Sequence, residues 1–245
     1  VIVALAVTAG RMVAKNPPDF QAPSKPSQVD KERKPNLLFE AGRLVFKSRY
    51  LIAIVAIVGL YEIVSTTVDF QFTETIAHFL DGTAIRSHIT NVFWLTNSVA
   101  FFVQLFLTSF IMTRFGVKAA LIVLPIMIAL GSLGYLALPV LWMGSRLNTA
   151  DNGFSYSINQ SAKEALYTIT TRKEKYMAKA FIDMFVQRFA KALAVGISLV
   201  TTAVFASFST IRWLSLFNIA VVIVWIVAVR YAGNRFQEVT EPVSV

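Results

Sequence analysis

Six apolar stretches constrain this 245-residue chain more than any other feature. A helix needs about 20 apolar residues to cross the hydrocarbon core of a bilayer. Residues 50–73, 91–113, 118–139, 141–168, 176–208 and 211–232 each reach that length. Lipid offers no partner to a backbone N–H or C=O, so such runs fold as helices that satisfy their own backbones. Composition agrees: 56% of residues are hydrophobic and 15% charged, against about 25% charged in soluble domains. The expected class is an all-α membrane protein with a bundle of six spans over residues 50–232. The second, third and sixth spans are nearly free of charge and read as ordinary lipid-facing helices. The fourth and fifth are polar on one side and would escape a strict hydropathy window.

The stretches between spans are short, with one exception. Residues 14–49 hold Asn16-Pro17-Pro18, Pro23, Pro26 and Pro35, with a charge cluster at Lys31-Glu32-Arg33-Lys34. Proline and charge at that density predict a hydrophilic linker. Val1–Val13 is apolar without a preceding basic region, which predicts the end of an earlier transmembrane helix and not a signal peptide. Residues 74–90 predict a second polar loop, and Pro139 a tight turn. Arg114-Phe115-Gly116 predicts a hairpin between the second and third spans, and residues 233–245 a polar tail.

Basic residues orient the spans, because cytoplasmic loops are enriched in Lys and Arg. If the linker is cytoplasmic and the spans alternate, 17 of the 23 Lys and Arg fall on the cytoplasmic side. Only Arg86 and Arg212 fall on the other. Losing one span would scramble that division. The net charge of +9 is therefore a topology signal and gives no reason to invoke nucleic acid. The tail is expected in the cytoplasm with the linker.

Catalytic raw material is scarce. Cysteine is absent, and the two histidines, His78 and His88, lie in one polar stretch. Thiol nucleophiles and thiolate metal sites are excluded. No Ser-His, paired-Asp or metal-ligand constellation predicts an enzyme, a cofactor or a metal site. The informative residues are charges inside spans, which cost about 2.5–3.5 kcal/mol each at a helix centre and usually face a bundle interior or a wet cavity. In the fifth span Asp183, Gln187 and Lys191 recur every four residues and share a helix face. Arg188 stands beside them, about 18 Å deep when counted from Tyr176 at 1.5 Å per residue. Two cations at that depth can hold an anion; they can also close an internal charge network through Asp183. The fourth span presents Arg146, Asn148, Asp151, Asn152, Ser155, Tyr156, Asn159, Gln160 and Lys163, and Asn152-Gly153 could interrupt it. Lys163 and Glu164 suit a gate or a helix-end ion pair. Glu62 falls near mid-depth in the first span and Asp69 near its outer end, so both need partners on neighbouring helices. In-span acids and bases are nearly equal in number, so an anionic substrate is suggested by where the bases lie.

The six spans, the long basic linker and the Arg-Phe-Gly turn resemble the C-terminal half of a major facilitator superfamily transporter. Four runs are more specific: Asn152-Gly153-Phe154-Ser155-Tyr156-Ser157, Ser161-Ala162-Lys163-Glu164-Ala165, Lys179-Ala180-Phe181-Ile182-Asp183 and Arg188-Phe189-Ala190-Lys191. In order and spacing these are similar to the ATP:ADP antiporter family, the nucleotide transporters of plastids and intracellular bacteria. The sequence departs from that pattern at Val68-Asp69-Phe70-Gln71, which keeps an acid but lacks the lysine that tends to follow it.

The resemblance implies a secondary transporter that moves a nucleotide by alternating access, with a preceding six-helix half as its partner and the bacterial inner membrane as its site. Arg188 and Lys191 are then the expected phosphate contacts, and Lys163 a contact or gate. Tyr156 and Asn152 would meet the base or ribose, and Asp183 would orient Arg188 or Lys191. Glu62, Asp69, Glu164 and Arg146 would belong to gating or charge networks. Two alternatives stay open. One is a proton- or phosphate-coupled carrier of another organic anion, protonated at Glu62 or Asp69. The other is a membrane anchor or sensor for a fused partner domain.

Overall fold

The computed structural model describes residues 37–204 and 207–240. The chain divides into Val1–Glu40 and Ala41–Val245. Only residues 37–40 of the first unit are described; the second is a helix bundle. The helix end expected at Val1–Val13, and most of the linker, lie outside the described residues.

Helix α1 (Leu37–Lys47) occupies the last part of the expected linker stretch. Ala41 and Val45, four residues apart, are buried on one side of it. Ser48 then caps α2 (Arg49–Phe79) by accepting from the Leu51 N–H, which satisfies a donor that a helix start leaves free. The polar loop expected at residues 74–90 is not a loop. Glu74 and His78 lie in the last turns of α2, and α3 (Thr83–Arg114) already contains Arg86 and His88. Nothing from Glu74 to Leu80 breaks a helix; the break falls at Asp81-Gly82, where Gly82 has φ +52°, a conformation open chiefly to glycine. At the next corner Gly116 (φ +81°) turns the chain into α4 (Gly116–Ala137), as the Arg-Phe-Gly signal predicts.

Beyond Pro139, Leu141–Phe154, the π-helical turn Ser155–Asn159 and Gln160–Leu166 run on as one helix, α5. Asn152-Gly153 does not interrupt it; the helix widens in the following turn instead. Thr171 and Glu174 form a capping box at the start of α6 (Arg172–Val204), four residues earlier than the apolar run suggests. Last comes α7 (Trp213–Thr240), which continues into the stretch expected as a polar tail.

Among the described residues, α2, α3, α4, α6 and the segment Phe208–Thr240 are long and apolar enough to cross a membrane. The chain is an integral membrane protein. The fourth expected span, α5, is about 39 Å long at 1.5 Å per residue, but its polar face keeps it below the apolarity of the other five. The fifth expected span, α6, reaches that apolarity after all.

Helix α2 is the centre of the bundle and packs on α5, α6 and α7. α4 packs on α7 and α5, and α3 on α5. Ile54, Ile57, Val64 and Val68 of α2 form one core with Leu121, Leu124 and Ile128 of α4 and with Val222, Trp225 and Val229 of α7. Deeper along the same seam the contacts turn polar. Gln71 Nε2 donates to Ile211 O (3.1 Å) and Ser215 Oγ (3.0 Å), and Asn218 Nδ2 donates to Gln71 Oε1 (3.3 Å). Bonds of this kind between membrane helices contribute about 0.6 kcal/mol each, at most about 2. The sixth span is thus not simply lipid-facing: one stripe, from Leu214 through Asn218, Trp225 and Ala232, is buried.

Contacts between helix ends fix the alternation. Tyr50 Oη donates to Leu166 O (2.8 Å) and Lys118 Nζ to Asn234 Oδ1 (2.5 Å). The start of α2, the end of α5, the start of α4 and the end of α7 therefore share one end of the bundle. His88 with Ser145 (2.8 Å), and Gln71 with Ile211, mark the other half.

Helix α3 approaches α5 where α5 has a glycine. A Cβ at Gly153 would stand 2.9 Å from Val99 Cγ1. Gly153→Val should destabilise the bundle by about 1–3 kcal/mol through overpacking. Adding Val99→Ala should recover most of that loss, as read from thermal unfolding midpoints in detergent.

Candidate functional site

Two adjoining cavities open on the polar side of α5. One, about 680 Å³, lies among α2, α3 and α5 and is lined by Phe72, Ile76, Ala77, Ile85, Ile89 and Phe93, with Thr73 and Asn148. The other, about 390 Å³, lies among α2, α5 and α6 and is lined by Tyr61, Glu62, Ser65, Thr66, Ser155, Gln160, Lys163, Gln187 and Lys191. Asp69, Asn152 and Tyr156 line both. The two are one groove with an apolar arm, a charged arm and a polar junction. Their sizes fall in the range of small-molecule sites, about 300–1,000 Å³.

The junction is built by hydrogen bonds between α2 and α5. Asn148 Nδ2 donates to Asp69 Oδ1 (2.7 Å), and Asn152 Nδ2 donates back along its own helix to Asn148 O (3.2 Å). The π turn Ser155–Asn159 follows directly. It packs against a second π turn, Val103–Thr108 in α3, and a third, Ile182–Val186, lies in α6. Such turns occur often at functional sites, where the extra residue re-aims side chains.

In the charged arm, Lys191 Nζ is 3.5 Å from Glu62 Oε2. The lysine is 59% exposed and the glutamate 11%. At that distance the pair is loose, and the lysine keeps donor capacity for another acceptor. Lys163 Nζ lies 5.0 Å from the Tyr61 ring centroid, a cation–π position. The arm therefore presents two cations, two carboxylates, amides and hydroxyls. It can bind an anion by charge-assisted hydrogen bonds. Among the described residues no group of His, Cys, Asp and Glu is placed to hold a metal ion.

Residues 1–143 and 136–236 match the TLC ATP/ADP transporter family. The chain belongs to that family. It is therefore a transporter of a nucleotide-transporting family, consistent with the polar groove among its apolar helices. No curated protein and no solved structure matches the chain.

The structure distributes the expected site residues unevenly. Lys191, Lys163, Tyr156, Asn152, Glu62 and Asp69 all line this transporter's groove. Arg188 is exposed on α6 beside Gln187 and lines neither cavity. Asp183 is exposed and ion-pairs with neither Arg188 nor Lys191 among the described residues; the carboxylate at Lys191 is Glu62. Glu164 is held by Lys179 at 2.7 Å, joining the end of α5 to the start of α6. Arg146 stacks on Trp142, 4.6 Å from its centroid, and forms no ion pair among the described residues.

Sequence reasoning missed the apolar arm. Ile85 and Ile89 lie in the stretch expected as a polar loop and Phe93 in a span read as lipid-facing, and an apolar side chain carries no mark of whether it faces lipid or a cleft. Ser65 was also missed, because a single polar residue in a span is common.

The absence of cysteine makes the groove directly testable. Asn152→Cys and Gln187→Cys should react with a membrane-impermeant thiol reagent and be protected by saturating substrate. Ser157→Cys, fully buried on the far side of α5, should stay unlabelled under the same conditions.

Proposed function

We propose that this chain is the C-terminal half of a nucleotide exchanger of the ATP/ADP type. Its helices would form one six-helix half of a major facilitator superfamily transporter. That half would rock against a preceding six-helix half by alternating access around a midplane site. The observation that carries this reading is the division of one groove into chemically unlike arms joined by a polar bridge. A nucleotide is divided in the same way: an anionic polyphosphate, a hydroxylated ribose and a flat, largely apolar base. Family membership supports the same substrate class.

In this reading Lys191 and Lys163 hold the phosphates in the charged arm. Tyr156 and Asn152 meet the ribose at the junction, and Phe93 receives the face of the base. Arg188, exposed one residue beyond Gln187, adds a third cation from the open side of α6. Glu62 restrains Lys191 until an anion displaces it, and the Glu164–Lys179 pair ties α5 to α6 as alternating access requires of a gate. The end bearing Arg49, Arg114, Arg172 and Arg235 faces the cytoplasm, because basic ends are retained there, and the membrane is a bacterial cell membrane. A second reading, a coupled carrier of another organic anion, is favoured by one observation: Glu62 and Asp69 line the groove as acids and no lysine follows Asp69.

The test is uptake of labelled ATP by the full-length protein in proteoliposomes preloaded with ADP. Lys191→Ala and Lys163→Ala should each lower the initial rate by tenfold or more, as loss of a charge-assisted bond of about 1.5–3 kcal/mol requires. Arg188→Ala should lower it less, and Arg146→Ala should leave it unchanged. Uptake unaffected in both lysine variants would remove them from the site. Uptake of phosphate or another organic anion in place of ATP would favour the second reading.

A further inference from the structure

One cavity lies away from the groove. It holds about 520 Å³ at the end of the bundle where α2 begins and α7 ends. Ser48 and Arg49 line it from the start of α2, and Tyr231, Asn234, Arg235 and Glu238 from α7. Among the described residues, most of its polar groups are left as donors. Ser48 Oγ accepts from the Leu51 N–H, which leaves the hydroxyl proton to donate. Asn234 Oδ1 accepts from Lys118 Nζ of α4 at 2.5 Å, which fixes the amide and leaves Nδ2 to donate. Arg235 spends Nη1 on Glu238 at 2.7 Å and keeps its other N–H groups. Arg49 is exposed and forms no ion pair among the described residues. Two arginines against one carboxylate leave the cavity one positive charge. Its complement is a monoanion rich in acceptors, and a guanidinium fork matches the oxygens of a phosphate.

The surface below the cavity decides which phosphate. Tyr231, Val227 and Val224 recur at helical spacing from Arg235 and share its stripe of α7. All three are exposed, as is Ile52 of α2, four residues on from Ser48. From Arg235 to Val224 is about 16 Å along the helix, the depth of one leaflet's share of a hydrocarbon core about 30 Å thick. Charge, then an aromatic ring, then apolar side chains is the order in which a bilayer presents its headgroups, interface and acyl chains. A soluble phosphate gains nothing from such a stripe.

We propose that this cavity binds the phosphodiester headgroup of an anionic phospholipid. The phosphate sits between Arg49 and Arg235, with Asn234 Nδ2 and the hydroxyls of Ser48 and Tyr231 as further donors. An acyl chain runs along α7 over Tyr231, Val227 and Val224. The single negative charge of a phosphodiester balances the one positive charge of the cavity. Held there, the lipid joins the start of α2 to the end of α7 and, through Asn234 and Lys118, to α4. Anionic lipids give the cytoplasmic leaflet its negative surface, and that is the side to which this end is assigned above. The site does not depend on what the groove carries.

The test uses the full-length protein in detergent, stripped of lipid and given equimolar phosphatidylglycerol and phosphatidylcholine. Native mass spectra should show phosphatidylglycerol retained in preference. Arg49→Gln and Arg235→Gln should each weaken its retention about fivefold, the share of a single basic residue at a membrane surface. Arg114→Gln, at the same end but outside the cavity, should leave retention unchanged. Glu238→Gln, which releases the second guanidinium fork, should raise it, a gain that a damaged fold would not produce. Without lipid, all four variants should unfold at the midpoint of the unsubstituted protein. Equal retention of the two lipids overturns the site, and so does retention of phosphatidylglycerol untouched by both arginine substitutions or lowered by Glu238→Gln. Displacement of phosphatidylglycerol by millimolar inorganic phosphate would place a soluble anion in the cavity and overturn the lipid assignment.

Discussion

The architecture depends on how α2 meets its polar obligations. A helix surrounded by other helices in lipid has no water to turn to, so its side-chain donors and acceptors must be matched by its neighbours. α2 divides that task by direction. Toward α7 it offers Gln71, which is consumed by Ile211, Ser215 and Asn218; toward α5 it offers Ser65 and Asp69, matched by Asp151 and Asn148; toward α6 it offers Glu62, met by Lys191. The first of these seams is closed and structural. The second and third are only partly closed, and the groove lies along them. Position around one helix therefore separates the polar residues that hold the bundle from those that face the groove.

The groove inherits its two arms from the neighbours of α5. On one side stands α3, whose facing residues Ile85, Ile89 and Phe93 are apolar. On the other stands α6, which brings Gln187 and Lys191. α5 itself supplies the bridge, and its π turn packs against the π turn of α3. The same helix is too polar to cross a membrane unaided, and it is tolerated because much of its polar side is turned to the groove or buried against α2 and α4. Asn148, Asp151, Ser155, Ser157 and Asn159 are all buried.

Much of this was legible in the sequence, for a physical reason. Hydrophobic length and the distribution of Lys and Arg are imposed by the bilayer, and they state where helices cross and which ends meet. The charges of the fifth span were legible because a charge in lipid is costly and must have a use. Their partners were not. Asp183 stands at helical spacing from Lys191 and looks like its counter-ion, yet the carboxylate that reaches Lys191 comes from Glu62, more than a hundred residues away. Helical periodicity describes one helix face and carries no information about which neighbour that face meets. The polar loop expected at residues 74–90 failed for a simpler reason: polarity was taken for irregularity, while only Asp81-Gly82 breaks the helix.

The attachment of α6 has a kinetic meaning. This helix rests chiefly on α2, its charged residues lie mostly on exposed surface, and its π turn Ile182–Val186 interrupts the regular hydrogen-bond ladder just before Gln187 and Lys191. In the nucleotide reading proposed above, a cation on such a support is less pre-organised than one on an unbroken helix, and part of the energy of meeting an anion would go into fixing the helix. Affinity is lowered by that amount, and most differences in affinity appear in the rate of departure. A rigid cationic cradle would retain its ligand. A compliant one releases it quickly, which in a carrier sets how often the cycle can turn.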